Sequence, residues 1–213
     1  MTIWSGFGNS LTNVLSFRLC LVSLLLTVCV AISAGAAVTA TPMRPYAGIG
    51  VLFFVGLIPA EHEPLLLPLY EEPGLLRVGV LNGATVSGVE WLFGSGEKSA
   101  PFIVTARKGG WFRILFDDAG HEGWVKPEEA GQYQAWDLFL KQHPCRLLPG
   151  LQPRYYRLLS MPNGDSIGTM QPRQQFRVLK RENDWVMVMV EPSRLGWLRW
   201  RDEDGRLLIG FQR

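Results

Sequence analysis

Cysteine is scarce, with three residues in 213, and this excludes a scaffold held together by several disulfides. A surplus of one charge is missing as well. Lys and Arg number 21 against 19 Asp and Glu, a formal net charge of +2, whereas a dedicated nucleic-acid binder carries a strong basic excess. The three histidines stand far apart at His62, His121 and His143. No phosphate-binding GxxxxGK[ST], no GxSxG elbow, no HExxH and no CxxC occurs, so the familiar signatures of nucleotide, ester, zinc-protease and dithiol chemistry are all absent. The reading is a protein without catalytic residues, metal or cofactor. What is plentiful is Trp (8), Pro (14) and Gly (23), a mixture that favours short strands and turns over long helices.

Charge is also missing from the start of the chain. Arg18 is the only charged residue before Arg44, and Leu19 to Ile32 reads LCLVSLLLTVCVAI, the length of a secretory hydrophobic region. Small residues follow in SAGAAVTA. Val38 and Ala40 suit a cut after Ala40, so residues 1–40 read as a signal peptide and the mature protein is expected to begin near Thr41. An uncleaved anchor is the alternative, because Leu19 to Ala40 is long enough for a bilayer span. Either way the remainder is exported, to the periplasm or beyond, and membrane contact is confined to residues 19–40. Removing the leader takes Cys20 and Cys29 with it. Cys145 is then a small buried hydrophobe or the donor of an intermolecular bridge.

The rest of the chain repeats itself. FIVTARKGGW, ending at Trp111, aligns with FRVLKRENDW, ending at Trp185. Each is followed by an alternating strand, WFRILF or WVMVMV, and then by a Gly-Trp pair, Gly123-Trp124 or Gly196-Trp197. Upstream, Pro73 precedes Val78-Gly79 by the spacing at which Pro162 precedes Ile167-Gly168. Copy one holds 22 residues (80–101) where copy two holds seven (169–175), and the excess is expected to form an extra hairpin or extended loop. YAGIGVLFFVGLIPA, from Tyr46 to Ala60, reads as a buried strand pair or one long first strand. Residues 128–143 between the copies read as a short helix that starts behind Pro127 and carries Tyr133, Trp136, Phe139 and Leu140 on one face. Asp202 to Gly205 reads as the tip of a final hairpin rather than a calcium loop, since the later Glu of such a site is missing.

These pieces resemble the bacterial SH3-like (SH3b) domain. In copy two the matching residues are Pro162, the Ile167-Gly168-Thr169-Met170 step, Phe176 to Leu179, Trp185 to Val190 and Gly196-Trp197-Leu198. In copy one they are Pro73, Val78-Gly79, Phe102 to Thr105, Trp111 to Phe116 and Gly123-Trp124-Val125. The sequence departs from the family at Tyr70 and Leu159, where Arg is common, and at Arg173, where Gly is common. The resemblance implies a mainly β protein: two small SH3-like β-barrels, at 46–129 and 145–213, joined by a short α-helical linker. Copy two, as residues 145–213, is expected to melt cooperatively by itself.

The same resemblance implies a non-catalytic binding module for cell-wall peptide (peptidoglycan) or for an envelope protein, with no nucleic-acid partner. The alternative is a structural subunit of a larger envelope complex. The candidate ligand-binding residues are Trp111, Trp124, Trp185 and Trp197, which either line a groove for an extended peptide or fill the barrel wall. Tyr70, Glu71 and Glu72 join them in the first loop of copy one. Their counterparts Leu159, Ser160 and Met161 are uncharged, so copy one is the expected binder of a cationic or amine-bearing ligand.

Overall fold

The computed structural model describes residues 43–55, 66–82, 90–94, 99–117, 119–127, 131–190 and 193–212. The leader with its cleavage site and His62 lie outside the described residues. No described helix is long and apolar enough to cross a membrane.

Alternating apolar residues form fourteen described strands, arranged in two antiparallel seven-stranded sheets. The first contains β1 (Gly50–Val55), β2 (Leu67–Glu72), β3 (Leu75–Leu81), β4 (Ser99–Lys108), β5 (Trp111–Leu115), β6 (Glu122–Val125) and β7 (Gly131–Ala135). The second contains β8 (Cys145–Leu147), β9 (Arg157–Leu159), β10 (Ser166–Thr169), β11 (Gln175–Glu182), β12 (Trp185–Val190), β13 (Arg194–Arg199) and β14 (Ile209–Phe211). The strand orders are β3-β2-β6-β5-β4-β1-β7 and β10-β9-β13-β12-β11-β8-β14, the second being the first displaced by seven. Among the described residues no pairing joins β3 to β7 or β10 to β14, so neither sheet is closed.

Irregularities repeat along with the order. The ladder between β2 and β3 passes over Val78, and that between β9 and β10 passes over Ile167. The ladder between β4 and β5 passes over Thr105, and that between β11 and β12 over Leu179. These four bulges fall on residues that the two-copy alignment pairs. A bulge turns its extra residue out of the pleat and bends the strand, and Val78 and Ile167 are both exposed accordingly.

The core explains the unbroken apolar runs. Leu52, Phe54, Phe102 and Val104 pack into a cluster that belongs to the first sheet. Val51 and Ile103, on the opposite faces of β1 and β4, pack into a second cluster together with Leu158, Phe176, Val186, Val188, Leu198 and Phe211 of the second sheet. Strands buried on both faces lose the apolar–polar alternation. The two sheets therefore share hydrophobic core, and Thr41–Arg213 forms one compact unit.

A helix seals that shared core, but it is shorter than its sequence pattern. Gly131–Ala135 is strand β7, paired with β1, and only Trp136–Gln142 is helical (α2). Residues 128–130 lie outside the described residues. The pairing with β1 satisfies backbone groups that a helix would otherwise hold, and the Tyr133 hydroxyl donates to the Ile49 carbonyl at 3.0 Å. Phe139 and Leu140 are buried, and the Trp136 indole N–H donates to the Ala47 carbonyl at 2.7 Å. The insertion of copy one is described only at residues 80–82, 90–94 and 99–101. Its described part includes a single helical turn, Glu90–Phe93 (α1), with Leu92 and Phe93 buried in the shared cluster.

Two local expectations are settled by burial and register. Cys145 is fully buried and its thiol contacts the His143 carbonyl at 3.3 Å, so it is a core residue and not a bridge donor. Burial pushes that thiol far above its ordinary range. Residues 202–205 do form a turn, flanked by an isolated bridge between Arg201 and Leu207, but β14 then leaves to pair with β8 instead of completing a hairpin with β13.

That turn carries a buried carboxylate, Asp202. Burial by itself would raise its pKa. The backbone N–H of Arg206, the Arg44 guanidinium at 2.7 Å and the backbone N–H of Asp204 outweigh this and hold it below the usual carboxylate range. A depressed folded-state pKa contributes stability that is present above the unfolded value and lost as pH falls through the folded one. Asp202→Asn should therefore cost about 1 kcal/mol at neutral pH. It should also narrow the gap in melting temperature between about pH 7 and about pH 3, which thermal melts of both proteins at the two pH values will measure.

Candidate functional site

Strand period and register place Tyr70, Trp111 and Trp124 of copy one on a single face. Phe112 and Ile114 of β5 point into the core, so Trp111 and Arg113 point outward. Arg113 is registered against Trp124, and Trp124 against Tyr70. Tyr70 meets Trp111 edge-to-face, with ring centroids 5.2 Å apart at 84°, the geometry favoured by the ring quadrupoles. Tyr70 and Trp111 are half-buried, whereas Trp124 is 8% exposed and serves mainly as wall. Glu71 and Glu72 are exposed at the end of β2, ahead of the Pro73-Gly74 turn. Gly74 has φ +73 and lies over Trp111, with the position of a Cβ 3.8 Å from the ring. Arg113 pairs with Glu122 on the same face.

Copy two repeats the aromatic frame with different chemistry. Trp185 opens β12 as Trp111 opens β5, and Trp197 is registered against Leu159 as Trp124 is against Tyr70. Trp185 and Trp197 are both half-buried. The Arg199 guanidinium sits 5.0 Å from the centroid of the Trp185 ring, a cation–π contact. A cleft of about 280 Å³ beside Trp185 is lined by Arg154, Arg157, Asn163, Arg199 and Glu203. Glu203 holds this rim together: it accepts from the Tyr155 hydroxyl at 2.6 Å and pairs with Arg199 at 2.8 Å and Arg154 at 3.3 Å. The Tyr155 hydrogen bond comes first among the influences that lower the pKa of Glu203.

Leu159, Ser160 and Met161 are uncharged, as the sequence shows, but copy two does carry a charged rim. Its charge comes from Arg154 and Arg157, ahead of that loop, and from Arg199 and Glu203, far along the chain. Arg154 and Glu203 are 49 residues apart, so no local pattern could have joined them. The surroundings thus differ in sign: the exposed Glu71 and Glu72 end the strand that carries Tyr70 in copy one, and three arginines with one glutamate line the cleft beside Trp185 in copy two.

His121 stands apart from both faces. It is exposed and pairs with Asp117 at 2.6 Å. Among the described residues no group of three or more His, Cys, Asp or Glu is placed to hold a metal ion.

No family model matches the sequence, and no curated protein matches it. Among solved structures, NlpC2 and NlpC1 from Trichomonas vaginalis are each similar over 79% of this chain, at 9% and 10% identity and TM-scores of 0.32. The chain covers 49% and 52% of those two, about half their length. The structure of the endolysin LysPBC5 CBD is similar over 80% of this chain and 98% of its own, at 15% identity and a TM-score of 0.24. At these scores the likeness decides neither fold nor function.

Proposed function

We propose that this protein is an exported, non-catalytic binding module built from two SH3-like copies, each an open antiparallel sheet, and that it recognises an extended cell-wall peptide on its aromatic faces. The observation that carries this reading is the half-exposed Tyr70–Trp111 pair, with the exposed Glu71 and Glu72 next along the strand. An extended peptide loses little conformational freedom on docking against such rings. The acidic rim of copy one suits an amine, and the arginine-rich rim of copy two suits a carboxylate. A peptide that carries both groups matches the pair of faces better than a purely cationic or purely anionic one. The shared strand order and the aligned bulges support the two-copy part of the proposal.

The test is a variant series assayed for binding to purified sacculi, with each fold checked by its melt. Tyr70→Ala should weaken binding about tenfold or more. Glu71→Gln with Glu72→Gln should have a smaller effect that fades as salt rises, because exposed charge contacts contribute about 0–1 kcal/mol and are screened. If Trp111→Ala unfolds the protein while Tyr70→Ala binds as before, Trp111 is wall and the face of copy one is not a binding site.

One observation favours a second reading, that of an interaction subunit in an envelope complex. β3 is the terminal strand of its sheet, and Leu75, Leu76 and Val78 on it are all more than half exposed. An apolar sheet edge is a template for pairing with another chain. Recovery of one stoichiometric envelope protein, lost in Val78→Lys, would support that reading over the first.

A further inference from the structure

A second cleft, of about 640 Å³, has Arg44, Arg146 and Arg173 in its walls together with Trp91, Leu148 and Pro149. That volume is in the range of small-molecule sites, about 300–1,000 Å³. Among the described residues that line it there is no carboxylate.

The three arginines are not equivalent. Arg44 is neutralised by Asp202 at 2.7 Å. Arg146, on β8, is held rigidly, donating to the Phe211 carbonyl at 2.8 Å and to the Trp91 carbonyl at 2.7 Å. Carbonyls fix a guanidinium in place but leave its charge uncompensated. Burial, and then the neighbouring charge of Arg173, both disfavour the charged form of Arg146. Arg173 has no ion pair among the described residues and stands exposed at the cleft. Two like charges, one of them half-buried, are therefore kept together without a counter-charge, an arrangement that costs stability unless an anion completes it.

Arg173 supplies an independent observation. Its φ is +65°, in the left-handed region where glycine is at ease and a long side chain is strained. Placing an arginine there costs stability, and strain of this kind gathers where a side chain serves a ligand.

We propose that this cleft binds a small organic oxyanion, a carboxylate or phosphate carried on an apolar body, with Arg146 and Arg173 holding the oxyanion and Trp91 and Leu148 receiving the apolar part. Planar guanidinium groups match both oxyanions in a bidentate manner. Arg146 is preorganised by its two carbonyl contacts, and Arg173 approaches from the turn before β11.

The purified protein should be titrated calorimetrically with phenyl phosphate, benzoate, inorganic phosphate and benzylamine. Phenyl phosphate or benzoate should bind, and the tighter of the two identifies the oxyanion. Inorganic phosphate, lacking the apolar body, should bind about tenfold more weakly or worse. Benzylamine should not bind. Arg173→Gly should retain or raise the melting temperature and weaken the tighter aromatic anion about tenfold to a hundredfold. Arg173→Asn, another residue that accepts the left-handed backbone, should do the same, so the result does not rest on one variant. The proposal is overturned if neither aromatic anion binds, if benzylamine binds as well as they do, or if both Arg173 variants fold and bind with unchanged affinity.

Discussion

Phe139→Ala should destabilise the protein by about 3–5 kcal/mol, the cost of emptying a well-packed aromatic site, and both sheets should unfold in one transition. Phe139 is 1% exposed on α2, and its ring faces partners from both halves of the chain. Phe53 and Phe93 of the first half lie at 5.6 and 5.9 Å, and Phe211 of the second half at 4.7 Å. Trp136 at 5.6 Å extends the same stack, itself 5.4 Å from Trp200. Truncation leaves a cavity that β1, α1 and β14 border together, so neither sheet can absorb the loss alone. A denaturant melt followed by tryptophan fluorescence and by circular dichroism should give coincident curves. Two separated transitions would mean that each sheet has enough core of its own. The same geometry bears on residues 145–213 taken alone. That fragment keeps every ladder of the second sheet but exposes Trp200 and Phe211 where Trp136 and Phe139 covered them. It should be clearly less stable than a fragment that starts at Trp136.

Gly196→Ala should cost about 1–3 kcal/mol by overpacking, although the substitution adds only a methyl group. A Cβ there would lie 2.5, 2.7 and 3.0 Å from three carbons of the Leu158 side chain. Leu158 is fully buried on β9 and has no free volume into which to retreat. Gly123→Ala repeats the experiment in copy one, where the Cβ would lie 2.9 Å from Leu69. A single atom at that distance should make its penalty the smaller of the two. The Gly-Trp pair thus has a physical reason in each copy: the glycine lets the leucine of the neighbouring strand pass beneath, and the tryptophan covers the other face. Thermal melts of both variants will check the order. An unchanged melt for Gly196→Ala would show that Leu158 can move, contrary to its packing.

Much of this fold was legible in the sequence because its signals are local. Period-two runs beginning at Trp111 and Trp185, turns at Pro73 and Pro162, and the two Gly-Trp pairs all correspond to strands and turns in place. What stayed hidden was decided by distant partners. Gly131–Ala135 has a plausible helical pattern, yet β1 needed a neighbour and took it as a strand. Within the insertion of copy one, expected as a hairpin or extended loop, the described helical turn buries Leu92 and Phe93 in the shared cluster, a placement set by distant partners. Of the candidate site, Tyr70 and Trp111 could be found by their spacing from Pro73 and Gly123-Trp124. The Glu203 rim of copy two and the Arg146–Arg173 cleft could not, because their members come from strands and turns that only the finished fold brings together. Arg173 did leave one trace, as an arginine in a turn where the resembled family has glycine, and its positive φ explains why that position is unusual.

The proposal that this is a cell-wall binding module stands or falls on whether the intact protein binds the wall. Purified protein should be mixed with sacculi stripped of other proteins, sedimented, and measured in pellet and supernatant across a salt series. The account predicts saturable co-sedimentation that persists in part at high salt, since aromatic contacts survive screening while the Glu71–Glu72 rim does not. Protein that stays in the supernatant at every salt concentration, while its melt shows it folded, would contradict it.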